Sequence, residues 1–387
     1  MKARLFVCLT AVSVLCAGGR AKAGPWSAQP LVGVVAEYAS NPLLLAQNPR
    51  SETHAALILD LPVYYDLDAL HFAVTPRVRY GGDTGYSSVT SNYYHLDATA
   101  QYKSELDSFA FTGALYRDSS LLYAGELANG VGVRRDTSSG DLNWQHNLSE
   151  RLQFQLDGNT QRTLYGQSEE LSGLVDYRYT NLSPAIVYAL DERDSMRFLG
   201  SVGRYYSLNG FTASDSSNLQ LGIDRKLSEL WTLSATAGYS KSTNQYDFGF
   251  ATFKNDETGS VYSINLKRQT ERLALIASVS QALAPTGGAF LSRQQSVNLS
   301  ANYQYSERWA FTAAFSWANL SDPVIGGGST DRRYYSADLS ALWHWTEQWL
   351  VTMHATKLTQ QYGPPDISAT SSGVSLQISR QFYRTNN

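Results

Sequence analysis

The sequence predicts an all-β protein, namely a transmembrane, antiparallel, up-and-down β-barrel of about 18 strands, within a range of about 16 to 18. Three observations predict this fold class. Apolar and polar side chains alternate along the chain, short turns alternate with longer loops, and no apolar run after residue 23 is long enough for a membrane-spanning helix.

The alternation of side chains identifies the strands. Residues 219–224 read Leu-Gln-Leu-Gly-Ile-Asp, so that every second side chain is apolar. The same pattern recurs in residues 152–157, 231–239, 297–305 and 335–343. A period of two residues places successive side chains on opposite faces of a sheet, so one face is apolar and the other is polar.

The spacing of turn residues sets the strand count. Short polar turns are predicted at residues 66–69, 104–107, 147–151, 191–195, 227–230, 269–272, 306–308 and 346–348. Longer Gly-, Ser-, Asn- and Asp-rich segments lie at residues 81–91, 119–130, 166–172, 209–217, 244–258, 285–293, 321–332 and 363–372. With a first strand at 31–38 and a last strand at 374–382, this pattern gives about 18 strands, with short periplasmic turns and long external loops.

The first 23 residues have the features of a secretory signal peptide. Lys2 and Arg4 precede an apolar stretch over residues 5–18, and Ala21-Lys22-Ala23 resembles a cleavage site. We therefore expect export, and one outer-membrane barrel domain over residues 24–387.

Removal of this segment changes the composition of the chain. Both cysteines, Cys8 and Cys16, lie within it, so the exported chain has no disulfide and no thiolate chemistry. Four of the 31 Lys and Arg residues are lost, which leaves 27 against 34 Asp and Glu and a net charge of −7. An acidic balance argues against nucleic acid as a partner.

Aromatic residues are abundant and cluster at predicted strand ends. The chain has 25 Tyr and 8 Trp. The residues beside short turns that we predict to form an aromatic girdle are Tyr65, Tyr102, Trp231, Tyr305, Trp309, Trp343, Trp345 and Trp349. Membrane barrels place such residues at the membrane–water interfaces, whereas a soluble β protein would bury them at strand centres.

Charged residues on the polar face are candidates for the pore lining. They are Arg77, Arg79, Asp97, Lys103, Asp157, Asp224, Lys226 and Asp338. A charge facing lipid at the bilayer midplane costs about 2–4 kcal/mol, so these side chains are expected to face the lumen. They would form either a network that stiffens the wall or the lining of a pathway.

No catalytic or metal-binding motif is found in the sequence, and no cofactor is expected. His95 and Asp97 share a strand face and could pair as in a barrel hydrolase. Residues 24–30 are too few for a plug domain. We therefore expect any constriction of the lumen to come from a loop folded inward, such as residues 244–258 or 119–130.

One short segment resembles a known group of proteins. Residues 34–45, read as Val-Val-Ala-Glu-Tyr-Ala-Ser-Asn-Pro-Leu-Leu-Leu, are similar to the opening strand of outer-membrane barrels of exopolysaccharide biosynthesis systems. The ending from Gly373 to Phe382 also looks like theirs and resembles the C-terminal signal that the barrel-assembly machinery reads. The resemblance implies passage of a polysaccharide across the outer membrane, with periplasmic polysaccharide-export components as partners.

The sequence therefore favours a non-enzymatic outer-membrane conduit in contact with outer-membrane lipids. Three alternatives remain open at this point. They are a general small-solute porin, a hydrolase acting through rim residues such as His95 and Asp97, and a surface adhesin acting through its loops.

Overall fold

A computed structural model describes residues 26–81, 92–120, 133–166, 174–247, 249–323, 329–362 and 367–382. The predicted signal peptide lies outside the described residues. Every regular element in the described ranges is a β-strand. No helix in these ranges is long and apolar enough to cross a membrane.

The strands follow one another with few interruptions. In chain order they are β1 (Trp26–Ala28), β2 (Leu31–Ala39), β3 (Glu52–Asp60), β4 (Val63–Leu67), β5 (Leu70–Gly81), β6 (Tyr93–Lys103), β7 (Asp107–Ser119), β8 (Arg134–Asn147), β9 (Leu152–Tyr165), β10 (Tyr177–Ala189), β11 (Asp194–Ser207), β12 (Thr212–Lys226), β13 (Trp231–Asp247), β14 (Thr252–Gln269), β15 (Leu273–Pro285), β16 (Leu291–Gln304), β17 (Trp309–Pro323), β18 (Ser329–His344), β19 (Trp349–Tyr362) and β20 (Ile367–Gln381).

These segments form a closed antiparallel barrel of 18 strands. The first and last strands close it, with Leu31 of β2 paired to Gln381 of β20. Two barrel strands are interrupted, so that β1 continues into β2 and β3 continues into β4. The interruptions lie at Pro30 and Pro62, because proline has no backbone N–H to donate to a neighbouring strand. The predicted fold class and strand number are confirmed.

All eight predicted short turns are present at one end of the barrel, which also holds the start of β2 and the end of β20. Most of these turns share a hydrogen bond from a side chain to the backbone, which was not part of the prediction. In seven of them a Ser, Thr or Asp oxygen accepts an N–H from two or three residues ahead, and a Glu follows directly. These residues are Ser104, Ser149, Asp191, Ser228, Thr270, Ser306 and Thr346.

The predicted loops at the other end are partly wrong. Residues 212–217 belong to β12, and residues 244–247 and 252–258 belong to β13 and β14. The two strands stay paired as far as Asp247 and Thr252. The polar residues of these segments were interpreted as loops, but they form a β-hairpin wall that extends beyond the apolar part of the barrel.

The outward face of the barrel carries an apolar belt. Leu219 and Leu221 are 60% and 61% exposed, whereas the inward Gln220 between them is more protected. On β13 the outward positions from Trp231 to Tyr239 are mostly apolar, and Lys241 is the next charged one. This stretch matches the length of about 9–11 residues that a tilted strand needs to cross a bilayer.

Candidate functional site

The interior of the barrel is the only large polar surface shared by all the described strands. The structure places all eight candidate lining residues on the inward face. Along each strand they alternate with the exposed apolar residues, which point outward. Their role in permeation stays a prediction.

Arg77 lies near the middle of the interior wall, between two carboxylates. Its Nε is 3.4 Å from Oδ1 of Asp60, and its Nη1 is 3.8 Å from Oδ2 of Asp97. The Arg77 side chain remains 49% exposed, so it faces open lumen. Asp60 was not among the predicted lining residues. Asp60 and Asp97 both lie beside Arg77 because β3 and β6 are the two neighbours of β5 at this level.

A second group lies toward the extracellular end and is mostly buried. Arg79 pairs with Glu37 of β2 and lies 3.1 Å from Nε2 of His54 on β3. His54 Nε2 is in turn 3.0 Å from a Glu37 carboxylate oxygen. The Arg79 guanidinium also lies over the ring of Tyr93, 5.7 Å from its centre. This cluster joins the first barrel strands to one another, which favours a structural role for Arg79 rather than an open lining position.

Three of the other candidates, all aspartates, lie along the periplasmic and middle parts of the wall. Asp224 accepts a hydrogen bond of 2.9 Å from Arg197 Nη2 and one from the Ser234 hydroxyl. Asp338 lies 3.5 Å from His354 Nε2, and Asp157 accepts a hydrogen bond from Asn143. Sequence reasoning missed Arg197 because it considered each strand separately, whereas its partner is on the next strand.

Two further candidates, Lys103 and Lys226, lie at the periplasmic rim. Both side chains are exposed, and Lys226 Nζ donates to the Glu192 carbonyl in a short turn. The lining therefore alternates cations and carboxylates and carries many amides and hydroxyls. Such a surface offers hydrogen-bond donors and acceptors and does not present one strong charge field.

The proposed pairing of His95 with Asp97 is not formed. The His95 ring lies between the rings of Tyr93 and Tyr116, 5.2 Å from each, while Asp97 pairs with Arg77. No hydrogen bond between His95 and Asp97 is present. Within the described ranges, no group of His, Cys, Asp or Glu has the arrangement of a metal site.

The first loop, residues 40–51, folds into the lumen. Leu44 is 1% exposed and packs against Ala318, Leu320, Tyr334 and Ala369, all on the inward faces of β17, β18 and β20. Asn41 fixes the turn that presents it. Its Nδ2 donates to the carbonyls of Leu45 and Thr370, and its Oδ1 accepts from the Leu45 N–H at 3.0 Å. This loop contains the Ser-Asn-Pro segment on which the family resemblance rested.

Leu44 has a φ of +50°, which is unusual for a residue with a side chain. The surrounding contacts must hold this conformation in place, because a free loop would relax it.

A second loop, residues 286–290 between β15 and β16, crosses the lumen. The Tyr205 hydroxyl of β11 donates to the Thr286 carbonyl at 3.1 Å, and the Val175 N–H donates to the Gly287 carbonyl at 2.9 Å. Just beyond the loop, Leu291 is fully buried against Tyr177 and Tyr205. Four strands, β11 to β14, separate β15 from β10, so the loop reaches these residues through the interior.

The second loop is also held in an unusual conformation and reaches another part of the wall. Ala289 has a φ of +77°. A Cβ at Gly288 would lie 3.8 Å from Nη2 of Arg332 on β18. The loop therefore lies between β10 and β11 on one side and β18 on another.

These loops are inward-folded segments that the sequence analysis did not name, and they correct the prediction for residues 244–258. Of the two segments expected to fold inward, residues 244–258 are mostly part of the wall, and residues 119–130 lie, apart from Ser119 and Ser120, outside the described residues. The first loop and the β15–β16 loop narrow the extracellular half. The sequence does contain a feature that indicates burial of the first loop. Three leucines follow Asn41-Pro42, and a loop exposed to water has no need for such an apolar run.

The predicted aromatic girdle lies on the outward face near the short turns. Trp309 stacks on Trp343 with ring centres 5.6 Å apart, and Trp343 stacks on Trp345. Tyr305 contacts Phe311, Tyr65 contacts Trp26, and Tyr102 contacts Phe109. Trp231 and Trp349 lie beneath the guanidinium groups of Arg268 and Arg380. Such contacts between aromatic rings and cations suit the headgroup region of a membrane.

Comparisons with known proteins concern overall structure. No protein-family model and no curated protein matches the sequence. Among solved structures, the chain is similar to OccK2 (OpdF) of Pseudomonas aeruginosa, with a TM-score of 0.45, 8% identity, and coverage of 93% of this chain and 98% of that one. A BenF-like porin from Pseudomonas fluorescens gives a TM-score of 0.47, 8% identity, and coverage of 93% and 99%. The ferric citrate transporter FecA gives 0.47, 9% identity, and coverage of 93% and 79%. The similarity extends along nearly the whole chain and is not accompanied by similarity of sequence.

Proposed function

We propose that this protein is a conduit in the bacterial outer membrane, open toward the periplasm and closed on the extracellular side by the first loop and the β15–β16 loop. The observation that carries the proposal is the burial at both closures, where Leu44 and Leu291 are 1% and 0% exposed inside the barrel. A barrel of this size encloses an aqueous channel unless loops fill it.

The apolar belt and the aromatic girdle support the outer-membrane location. A closed barrel satisfies every backbone hydrogen bond between its strands, and its outward apolar side chains would be poorly accommodated in water. Separation of cell membranes by density, followed by detection of the protein, tests this location. Recovery of the protein with soluble periplasmic material would contradict it.

The interior supports a transport role rather than catalysis. Within the described residues several inward charges are paired with neighbours on adjacent strands, as in Arg77 with Asp60 and Arg197 with Asp224. His95 has aromatic neighbours and, among the described residues, no carboxylate partner. We therefore propose a non-enzymatic protein.

An exported polysaccharide is the cargo that we favour. Its hydroxyl groups would exchange hydrogen bonds with the amide and hydroxyl side chains of the lumen, and the mixed charges would hold neither acidic nor basic sugars strongly. The resemblance of residues 34–45 to exopolysaccharide barrels points the same way. Periplasmic polysaccharide-export components would then open the closure, and the barrel-assembly machinery would insert the protein.

Conductance in planar bilayers tests the closed state. Leu44→Ser combined with Leu291→Ser removes the buried anchor of each loop, whereas Phe211→Ser alters an extracellular side chain that is 54% exposed. We expect small or rare openings from the wild type and from Phe211→Ser, and large, long-lived openings from the double variant. Large, steady wild-type currents equal to those of the double variant would contradict a closed resting state.

A test in cells addresses the cargo. Loss of the protein should leave polysaccharide in the periplasm and remove it from the cell surface, and the wild-type gene should restore its export. Unchanged surface polysaccharide in the deletion strain would reject this cargo and leave the conduit proposal standing.

A small-solute porin is the second candidate, and the inward-folded loops themselves favour it. A narrowed lumen with paired charges would pass small polar solutes and exclude larger ones. Swelling of liposomes in solutions of sugars of increasing size separates the two candidates. Swelling of wild-type liposomes with a sharp size limit supports the porin, and its absence supports a conduit that needs a partner.

A further inference from the structure

The outward face of the barrel carries a row of cations just above the apolar belt on one side. We call this row the basic strip and define it by Arg117, Arg162, Arg178, Arg204 and Lys241, on β7, β9, β10, β11 and β13. On β7 and β13 these cations directly follow the last apolar outward residues, Leu115 and Tyr239. The strip therefore lies at the extracellular border of the membrane-facing surface.

Within the strip, two arginines face each other with no carboxylate partner in the part of the chain that the structure describes. Arg162 and Arg178 are directly opposite in the register of β9 and β10, and both are exposed. Like charges at opposite positions destabilise a sheet. Arg178 contacts the Tyr206 hydroxyl at 3.4 Å, and among the described residues neither arginine forms an ion pair.

The other cations of the strip do have carboxylate partners. Arg117 pairs with Asp136 at 2.6 Å, Arg204 with Asp215 at 3.6 Å, and Lys241 with Asp256 at 3.0 Å. Among the described strands, the sheet thus places a carboxylate beside the cations at each flank of the strip and none beside the two central arginines.

Two outward arginines at the periplasmic border of the belt each have a contact within the protein. Arg225 lies 3.5 Å from Asp194, and the Arg268 guanidinium lies over the Trp231 ring at 5.4 Å. Arg162 and Arg178 differ from these two arginines because they face each other directly across two strands at the extracellular border.

We propose that Arg162 and Arg178 bind a phosphate group of lipid A, the glycolipid of the outer leaflet. A planar guanidinium donates two parallel hydrogen bonds to a phosphate, and two guanidinium groups on adjacent strands can hold one phosphate between them. Below the pair, the outward Leu182 and Val202 are 44% and 59% exposed and would contact the acyl chains. Anionic headgroups attract basic residues at this level of a membrane.

The inference rests on the proposed outer-membrane location, and its test can fail separately. The purified full chain in detergent is titrated with bisphosphorylated lipid A, and the bound fraction is measured by native mass spectrometry. Chemically dephosphorylated lipid A is the ligand control. Arg268→Gln, at the periplasmic border, is the matched protein control. Circular dichroism confirms that each variant is folded.

We expect Arg162→Gln combined with Arg178→Gln to weaken lipid A binding at least about tenfold, because it removes charge-assisted hydrogen bonds to the phosphate. Arg268→Gln should bind as the wild type does, and dephosphorylated lipid A should bind the wild type more weakly than lipid A does. This last comparison needs no variant, so it holds even if the double variant does not fold.

Equal binding of phosphorylated and dephosphorylated lipid A to the wild type would overturn the proposal. So would unchanged binding by a folded double variant. Displacement of lipid A by inorganic phosphate at a similar concentration would show a general anion site and reject the lipid assignment. Each of these results can occur in a protein that resides in the outer membrane. Recovery of the protein in the soluble periplasmic fraction would instead reject the proposed function.

Discussion

The two halves of the lumen are built from the same strands but are filled differently. In the extracellular half, inward residues such as Tyr177, Tyr205 and Gln360 are almost fully buried, and two loops pack against them. In the periplasmic and middle part, Arg77 and Asp338 keep 49% and 38% of their side chains exposed. Alternation along a strand fixes which side chains point inward, but the loops decide whether those side chains meet water.

This difference separates two kinds of interaction within one interior. The extracellular closure depends on apolar packing and a few buried hydrogen bonds, which depend strongly on single side chains. The periplasmic lining depends on partly exposed ion pairs, each of which contributes little to stability. Substitutions in the two halves should therefore differ in both size and kind of effect.

The largest effect is expected from Leu44→Ala, which empties the centre of the packing between the first loop and the wall. Truncation of a buried leucine costs about 2–5 kcal/mol, and each 1.4 kcal/mol changes an equilibrium about tenfold. The open probability in planar bilayers should rise accordingly. A wild-type conductance record from this variant would show that the first loop does not close the lumen.

Tyr205→Phe should have a smaller effect on the same closure. It removes the hydroxyl that donates to the Thr286 carbonyl and keeps the ring that packs on Tyr177. Leaving this buried carbonyl without its donor destabilises the closed state by about 1–3 kcal/mol. Openings should therefore be more frequent than in the wild type and less frequent than in Leu44→Ala. Larger openings from Tyr205→Phe than from Leu44→Ala would assign the main closure to the β15–β16 loop.

Substitutions in the periplasmic part should change selectivity and leave the closure intact. In the open background of Leu44→Ser with Leu291→Ser, Arg77→Gln leaves Asp60 and Asp97 unpaired and should favour cations. Asp224→Asn leaves Arg197 unpaired and should favour anions. Each shift in the permeability ratio should be at most about fivefold, since partly exposed ion pairs contribute about 1 kcal/mol or less.

Reversal potentials in a salt gradient measure these shifts. The direction is the decisive readout, because Arg77→Gln and Asp224→Asn should move the reversal potential in opposite senses. Two folded variants with unchanged reversal potentials would assign these charges a purely structural role.

The smallest effect is expected in the β13–β14 hairpin above the belt. The Thr243 hydroxyl and the Lys241 ammonium hold the pKa of Asp256 below its ordinary value of 3.8. A depressed pKa means that the carboxylate stabilises the hairpin at higher pH, and that this contribution is lost as the pH falls through the lowered pKa. Amide exchange in the hairpin, corrected for its intrinsic pH dependence, should then increase.

Asp256→Asn is the control for this titration, because its amide does not change charge. Its exchange rates should show no such step, while the wild type should show one confined to the hairpin. An identical step in both proteins would assign the effect to another group.

Much of the architecture was predictable from sequence because it follows from local rules. Period-two alternation in residues 219–224 and 231–239 gave the strands and their faces, and all eight short turns were found at the expected positions. The seven recurring Ser, Thr or Asp residues in those turns could have placed them more accurately. Residues 212–217 and most of residues 244–258 were misread as loops, because polar composition does not distinguish a loop from a strand whose inward side chains are polar and buried, such as Ser214 and Asn244.

The candidate site was predictable only in part. Parity placed Arg77, Asp97 and Asp224 inside, but their partners Asp60 and Arg197 became visible only from the register between strands. Arg79 has the same parity as Arg77 but joins a buried cluster with Glu37 and His54. Parity alone cannot separate an open lining position from a packed one.

The sequence by itself determined the closed antiparallel barrel, its strand number and the side of each strand that faces lipid, because these depend on neighbours two residues away or one short turn away. The tertiary structure decided how loops close the lumen. Asn41 bonds to a carbonyl 329 residues away, and Leu44 packs against β17, β18 and β20, which lie beside the start of the chain only because β20 pairs with β2. Such contacts arise when the first and last strands pair, and no local pattern encodes them.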